Sequence, residues 1–459
     1  MLGAKEIDTA PCARHALPIM TRHAVALVGL LLVVVQPWLG GCARRIIPPS
    51  LAELEEREIE YLAGIIRQQD RIIETMILRM EMEARRAAES GNPEEAIVDV
   101  LVLSGGGEKG AFGAAFLKAW GEVEEPGLRR PEFDIVTGVS TGSLIAPFAF
   151  IGTDEAYEVA DSIYRNPRSD WVRKRSFLEV LLVQDSIFDD AGLLRTIEEV
   201  IAPRAGEIAA GLDEHRLLLI GATNLNQGMS SVWNLTELAA KVQRGEMSVE
   251  EFSRHNLSSA SIPVAFPPQL LGGNLYVDGS TTRDILYLSP FDSTGELVAR
   301  WRERNPGVRL PRMRIWVIAN TAIIVPPVAV DPRDLPVLGR SLTLAIDQGL
   351  ISQLRILEIE TKLLALLHEQ QVEFRYVSLP DGFEPAGSGM FNKSDMDRMA
   401  DIGRAMGKDP RSWRSHVPDP MKPTALRAEL ERRRAGRQAA TEAAQRDEGG
   451  PSPTGDPRN

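Results

Sequence analysis

Two glycine-rich turns constrain this chain more than any other feature. Ser104-Gly105-Gly106-Gly107-Glu108-Lys109-Gly110 stands directly after an apolar run at 97–103 and opens a helical pattern at 110–120. Gly138-Val139-Ser140-Thr141-Gly142 stands after a second apolar run at 133–137 and before a helical pattern at 143–151. Short continuous apolar runs read as strands buried on both faces. Their alternation with helices implies an α/β fold, a three-layer, mainly parallel sheet. Strand candidates at 217–222, 314–319 and 373–379, with helical stretches at 192–201 and 340–371, extend the pattern. Ligands of such sheets lie beyond the carboxyl ends of the strands, so both turns are expected at one edge.

Each turn has its own chemistry. Glycines at a helix N-terminus let the backbone curl and leave N–H groups facing outward, which suits a negative oxygen. Gly105, Gly107 and Gly110 also match the dinucleotide fingerprint, but that site needs an acidic residue ending the second strand, and Asp134 precedes that strand instead. At its end stands G-x-S-x-G, in which Gly138 and Gly142 let strand and helix approach while Ser140 sits on the sharp turn between them. Taken alone this pattern could be a tight turn with a capping serine. Beside the first turn it reads as a nucleophile facing an oxyanion loop of Gly105, Gly106, Gly107 and Gly110. A nucleophilic serine needs a base. Asp278 ends the short run Asn274-Leu275-Tyr276-Val277, is followed by Gly279 and Ser280, and comes after a serine- and proline-rich stretch at 258–268. Asp278-Gly279 also reads as a hairpin turn. A later His368 would complete the Ser-Asp-His order of an α/β-hydrolase, although it lies inside a helical pattern.

These residues resemble the patatin-like phospholipase family. The resemblance runs over roughly 97–290: its oxyanion loop is similar to Gly105–Gly110, its nucleophile motif to Gly138–Gly142, and its Asp-Gly-Gly or Asp-Gly-Ala element to Asp278-Gly279-Ser280. The stretch at 258–268 and the segment at 222–228 are similar to secondary family segments. Three departures stand out: Lys109 where arginine is common, Ser280 where glycine or alanine is usual, and Asn224 in place of an acidic residue. The resemblance implies a patatin-like fold and a serine acyl hydrolase acting on lipid esters through a Ser140–Asp278 dyad, with neither metal nor organic cofactor. Phospholipid, lysophospholipid and neutral glyceride all stay open as substrates. Phe112, Phe116, Phe148, Phe150 and Phe188 could line an acyl groove or simply form core. A degenerate hydrolase serving as a lipid-binding or scaffolding lipoprotein is the reading from outside enzymology.

The flanks read differently. From Met20, a basic start, an apolar run at 24–35 and Leu39-Gly40-Gly41-Cys42 form a secretory layout. That run of about twelve residues is too short to cross a bilayer. Leu39-Gly40-Gly41-Cys42 resembles a bacterial lipobox, which implies cleavage before Cys42, diacylation there, and an exported protein anchored on the periplasmic side, at the outer membrane in a Gram-negative cell. Glu6 and Asp8 suit a signal poorly, so Met20 is a candidate start. A long amphipathic helix follows at 51–90, expected to pack on the body or on a partner. Cys12 and Cys42 both precede the body, which therefore holds no internal disulfide, and no Cys/His cluster has metal-site spacing. A net charge of −12 over 459 residues argues against nucleic acid as a partner. The chain is thus expected to divide into a signal peptide at 1–41, a lipidated N-terminus and helical spacer at 42–95, a catalytic domain at 96–300, its α/β completion at 301–415 and a disordered tail at 416–459.

Overall fold

The computed structural model describes residues 49–92, 95–176, 186–287, 295–325, 327–368, 371–386 and 390–419, with isolated positions between 422 and 438. The expected signal peptide, Cys42 and most of the expected tail lie outside the described residues.

The central sheet runs in the order β10 (Val372–Ser378), β9 (Arg312–Ala319), β1 (Ile97–Leu103), β2 (Ile135–Val139), β5 (Leu217–Asn224), β8 (Asn274–Asp278), β7 (Gln269–Leu271), with β6 (Met229–Asn234) also paired to β5. The first five strands are parallel to one another. Strands β6, β7 and β8 join antiparallel, so the sheet is mixed, mostly parallel, with an antiparallel flank that the apolar runs did not disclose. A separate two-stranded ribbon pairs β3 (Arg173–Lys174) with β4 (Phe188–Asp189).

Alternation builds two cores. Leu101, Leu103, Val136, Leu218 and Ile220 face one side and pack with Phe112, Phe116, Trp120 and Phe148. Val98, Val100, Val102, Ile135, Leu217 and Leu219 face the other and pack with Ile72, Met76, Met80, Trp301 and Leu354. Period-two burial on both faces is what a sheet covered by helices on each side requires.

The first helix, α1 (Leu51–Glu89), starts at a capping box in which Ser50 Oγ accepts the Glu53 N–H and the Glu53 carboxylate accepts the Ser50 N–H at 2.7 Å. Its second half carries the apolar packing: Ile72, Ile73, Met76, Ile77 and Met80 repeat at helical spacing and are buried, whereas Leu51, Ile59 and Ile66 in the first half stay exposed. Arg79 on that half reaches into the sheet's amino edge, where its Nε lies 2.5 Å from Asp134 Oδ1. Asp134 Oδ2 accepts the Asp99 N–H at 2.6 Å, and Asp99 in turn receives the Arg314 guanidinium and the Trp316 indole N–H. The second strand lies later than the expected 133–137: its paired residues run from Ile135 through Gly138 to Val139, and Asp134 stands at its entrance, where its N–H donates to the Asp99 carbonyl and its carbonyl accepts the Leu217 N–H.

Two regions differ from expectation. The body does not end at 415, because Val417 is buried with its N–H on the Glu358 carboxylate and Arg355 pairs with Asp419 at 2.9 Å. Helix Lys393–Gly407, unread in the sequence, packs on helix α2 (Gly110–Trp120); Gly403 and Gly407 lie against the carbonyls of Phe112 and Phe116, where a Cβ would collide.

Candidate active site

Strand register brings the predicted residues together. Leu103 lies opposite Gly138, Val139 opposite Gly221, and Ala222 opposite Asp278. Ser140, one residue past Val139, therefore stands level with Asp278 on the far side of β5. Because β8 runs antiparallel, it enters at the carboxyl edge, with Tyr276 opposite Asn224, and runs inward until Asp278, its last residue, lies opposite Ala222.

Ser140 occupies φ 53°, ψ −124°, a strained conformation for a non-glycine residue, between β2 and helix α3 (Thr141–Ile151). The turn is possible only because Gly138 and Gly142 lack side chains: a Cβ on Gly138 would strike the Gly142 carbonyl, and one on Gly142 would strike the Leu103 and Ser104 carbonyls. The serine-rich stretch, read only as a secondary segment, clasps the turn. Ser259 Oγ accepts the Ser140 N–H at 3.0 Å and donates to the Gly221 carbonyl at 2.5 Å. Ser143 Oγ donates to the Ser140 carbonyl at 2.6 Å. The same stretch holds the base strand, with the Ser261 carbonyl accepting the Asp278 N–H at 2.9 Å. A composition bias in the sequence could flag this segment, but only the fold shows that it joins both halves of the site.

Asp278 is 2% exposed. Its Oδ1 accepts the Ser280 N–H at 2.8 Å, while Oδ2 has no hydrogen-bond partner of regular geometry. Burial pushes its carboxyl up to about 6, and the neighbouring Ser140 hydroxyl, followed by the Ser280 N–H and hydroxyl, works against that rise. Asp278-Gly279 is not a hairpin turn: Asp278 caps a short 3₁₀ turn at Gly279–Thr281, and Gly279 packs on the Gly221 carbonyl and Val139, with no room for a Cβ.

The first glycine turn also takes its expected place, with its four glycines playing different parts. Gly106 and Gly107 have φ 146° and 58°, and among the described residues nothing accepts their N–H groups. Gly105 and Gly110 contribute space rather than donors. The Gly105 N–H is committed to the Asp284 carbonyl at 3.2 Å, and the Gly110 N–H turns back to Glu108 and Gly107. A side chain at Gly105 would run into Ser140, Ser280 and Asp284, and one at Gly110 into Thr141 and Tyr164.

An apolar pocket of roughly 660 Å³, its open mouth included, begins at Ser140 and Gly107 and is walled by Leu144, Phe148, Ile197, Val200, Phe266 and Phe391, among others. Of the five phenylalanines considered for an acyl groove, Phe148 lines it and Phe188 lies tilted against Phe266 of its wall, while Phe112, Phe116 and Phe150 are core. No histidine lines the pocket among the described residues. His368 lies against Gly295, His416 Nδ1 is 2.8 Å from Glu358, and His255 Nδ1 is bonded to the Glu251 carbonyl. Asn224 forms a local turn, accepting the Asn226 and Gln227 N–H groups and donating to the Tyr276 hydroxyl.

Comparison with known proteins adds a family. Among solved structures, one similarity is to "Crystal structure of VipD from Legionella pneumophila", at 12% identity over 69% of this chain and 67% of that one; its TM-score of 0.27 makes the likeness too slight to support inference. No curated protein matches the chain. The family model described as patatin-like phospholipase matches residues 101–289, the span that holds both glycine turns, Ser140, Asp278 and most of the pocket wall. This chain therefore carries a patatin-like phospholipase domain, of a lipid hydrolase family, on a mostly parallel α/β sheet flanked by helices.

Proposed function

We propose that the chain is a serine acyl hydrolase that cleaves carboxylic esters of lipids, with Ser140 as nucleophile and Asp278 as its base. The observation that carries this reading is a strained serine beside a buried carboxylate that has an oxygen without a regular partner and no cation in contact. In the first half-reaction Asp278 accepts the Ser140 proton as Oγ attacks the ester carbonyl. The Gly106 and Gly107 N–H groups face the oxyanion, a contribution worth about 3 kcal/mol per donor. Collapse of the tetrahedral intermediate breaks the ester C–O bond, and the proton held on Asp278 goes to the leaving alkoxide. Water then attacks the acyl-serine, giving its proton to Asp278, and the proton returns to Ser140 as the acid departs. The apolar pocket at Ser140 supports an acyl chain as the group held during both steps.

Cleavage before Cys42 and its diacylation would tether this activity to a membrane on the exported side, next to its substrate; the support is the order of residues 20–42. Hydrolysis of a short-chain p-nitrophenyl ester by the wild type and by Ser140→Ala tests the catalytic reading. Equal rates would end it. Mass analysis of the mature N-terminus tests the anchor, and an unmodified residue upstream of Cys42 would end that part.

A further inference from the structure

A second buried carboxylate stands behind the first. Asp284 is 1% exposed, six residues after Asp278, and its backbone is fixed from two sides: its carbonyl accepts the Gly105 N–H, and its N–H donates to Gln353 Oε1 at 3.0 Å. Its side chain crowds the same side of Gly105 as Ser280 Oγ, next to the Cβ of Ser140. Among the described residues neither carboxyl oxygen has a hydrogen-bond partner of regular geometry. The charged groups around it are Asp278 and Asp347, which repel a negative charge, and Lys109, which attracts one. The Ser280 hydroxyl lies close enough to both Asp278 and Asp284 to lower the pKa of each.

Two carboxylates this near each other in a dry site do not both ionise; the pair keeps one proton. Asp278 has a backbone donor at 2.8 Å and Asp284 has none, so the proton resides on Asp284. An ionised Asp284 would be a buried charge without donors, whereas a protonated one becomes a donor itself and needs only an acceptor. The nearest candidate is Ser280 Oγ.

We propose that Asp284 is a positioning residue: as a neutral acid it donates to Ser280 Oγ, which turns the Ser280 hydroxyl toward Asp278 and leaves Asp278 the single negative charge available to Ser140. Loss of the Asp284 proton would reverse the Ser280 hydroxyl and place a second negative charge beside the base. Burial, with Asp278 and Asp347 adding to it, pushes Asp284 up to about 7, so this reversal falls within the working range of pH. The inference rests on the Ser140–Asp278 reading and assigns a role to Ser280, a residue that departs from the family pattern.

The test is the pH dependence of kcat/KM on a short-chain p-nitrophenyl ester for the purified full chain. The wild type should give a bell, rising as the pair loses its first proton and falling as it loses the second. Asp284→Asn, which keeps a neutral donor and cannot ionise, should abolish the alkaline fall. Asp284→Leu should lower kcat about tenfold with little change in KM, as expected when a transition-state interaction alone is lost. In a Ser280→Ala background the Asn substitution should alter the alkaline limb less than in the wild type, because the bridge is gone and only the charge of Asp284 is left to act. An Asp284→Asn profile that overlays the wild type overturns the inference while leaving the nucleophile and base intact, and it decides the matter even if Asp284→Leu fails to fold. A wild type as inert as Ser140→Ala overturns both readings.

Discussion

The two edges of one sheet treat buried carboxylates in opposite ways. At the amino edge, Asp99 and Asp134 are matched: Arg314 grips Asp99 with two nitrogens, and Arg79 and the Asp99 N–H serve Asp134. At the carboxyl edge, Asp278 and Asp284 are as deeply buried, yet the groups that touch them are hydroxyls and one amide, and Lys109 acts on Asp284 only from a distance. Burial raises the pKa of all four, so burial does not separate them. Company does. A buried acid with its cation holds strands and a helix in place, whereas one without a cation stores unfavourable energy that a proton or a substrate can relieve.

The largest test of this contrast is catalytic. Asp278→Asn should lower kcat by about a thousandfold or more while the protein stays folded, because the amide keeps the shape and removes the base. Ester turnover with circular dichroism checks it, and near-normal turnover would mean that Asp278 is no more than a cap for its 3₁₀ turn.

Next comes the amino edge. Arg79→Met should cost about 3 kcal/mol of stability by leaving Asp134 buried without its cation, with activity per folded molecule unchanged. The loss should be greater at pH 8 than at pH 5, since an unpaired acid can recover by taking a proton. Urea unfolding at the two pH values measures both effects, and an equal, small loss would show that the pair is not a structural tie.

A smaller effect of opposite sign is expected at the carboxyl edge. Asp278 has a folded value of about 6, above its unfolded value near 4, so the folded state holds its proton more tightly. Stability should therefore fall as pH rises from about 4 to 6, and Asp278→Asn should remove that fall and gain roughly 2 kcal/mol at neutral pH. A lower melting temperature for Asp278→Asn at pH 7 would contradict it. The smallest effect is the acid limb of kcat/KM, which should rise through about pH 6 as the base ionises.

Much of the fold was legible because glycine and apolar periodicity are local. The runs at 97–103 and 110–120 coincide with β1 and α2, since six apolar residues within a stretch of seven, ahead of a glycine turn, have one way to be buried. The paired part of β2 lies two residues later than the run at 133–137, and nothing in the sequence near Asp134 shows that its side chain meets Arg79, fifty-five positions away. Strands β6 and β7 were invisible: Met229–Asn234 and Gln269–Leu271 are too short and too polar to show an apolar run, and exist because β5 and β8 offer ladders to join.

By itself the sequence determined the turns, since only glycine fits at 138 and 142 around a serine at positive φ, and it determined which residue types could do chemistry beside them. Tertiary structure alone decided that β8 enters antiparallel and stops level with Ser140, that Ser259 and Ser261 tie the two halves together, and that Asp284 lies behind Gly105 with no cation in contact among the described residues. The division has a physical cause. Steric demands on a backbone act between near neighbours and leave a mark in the sequence, whereas strand pairing and the company kept by a buried charge arise between residues that meet only once the chain has folded.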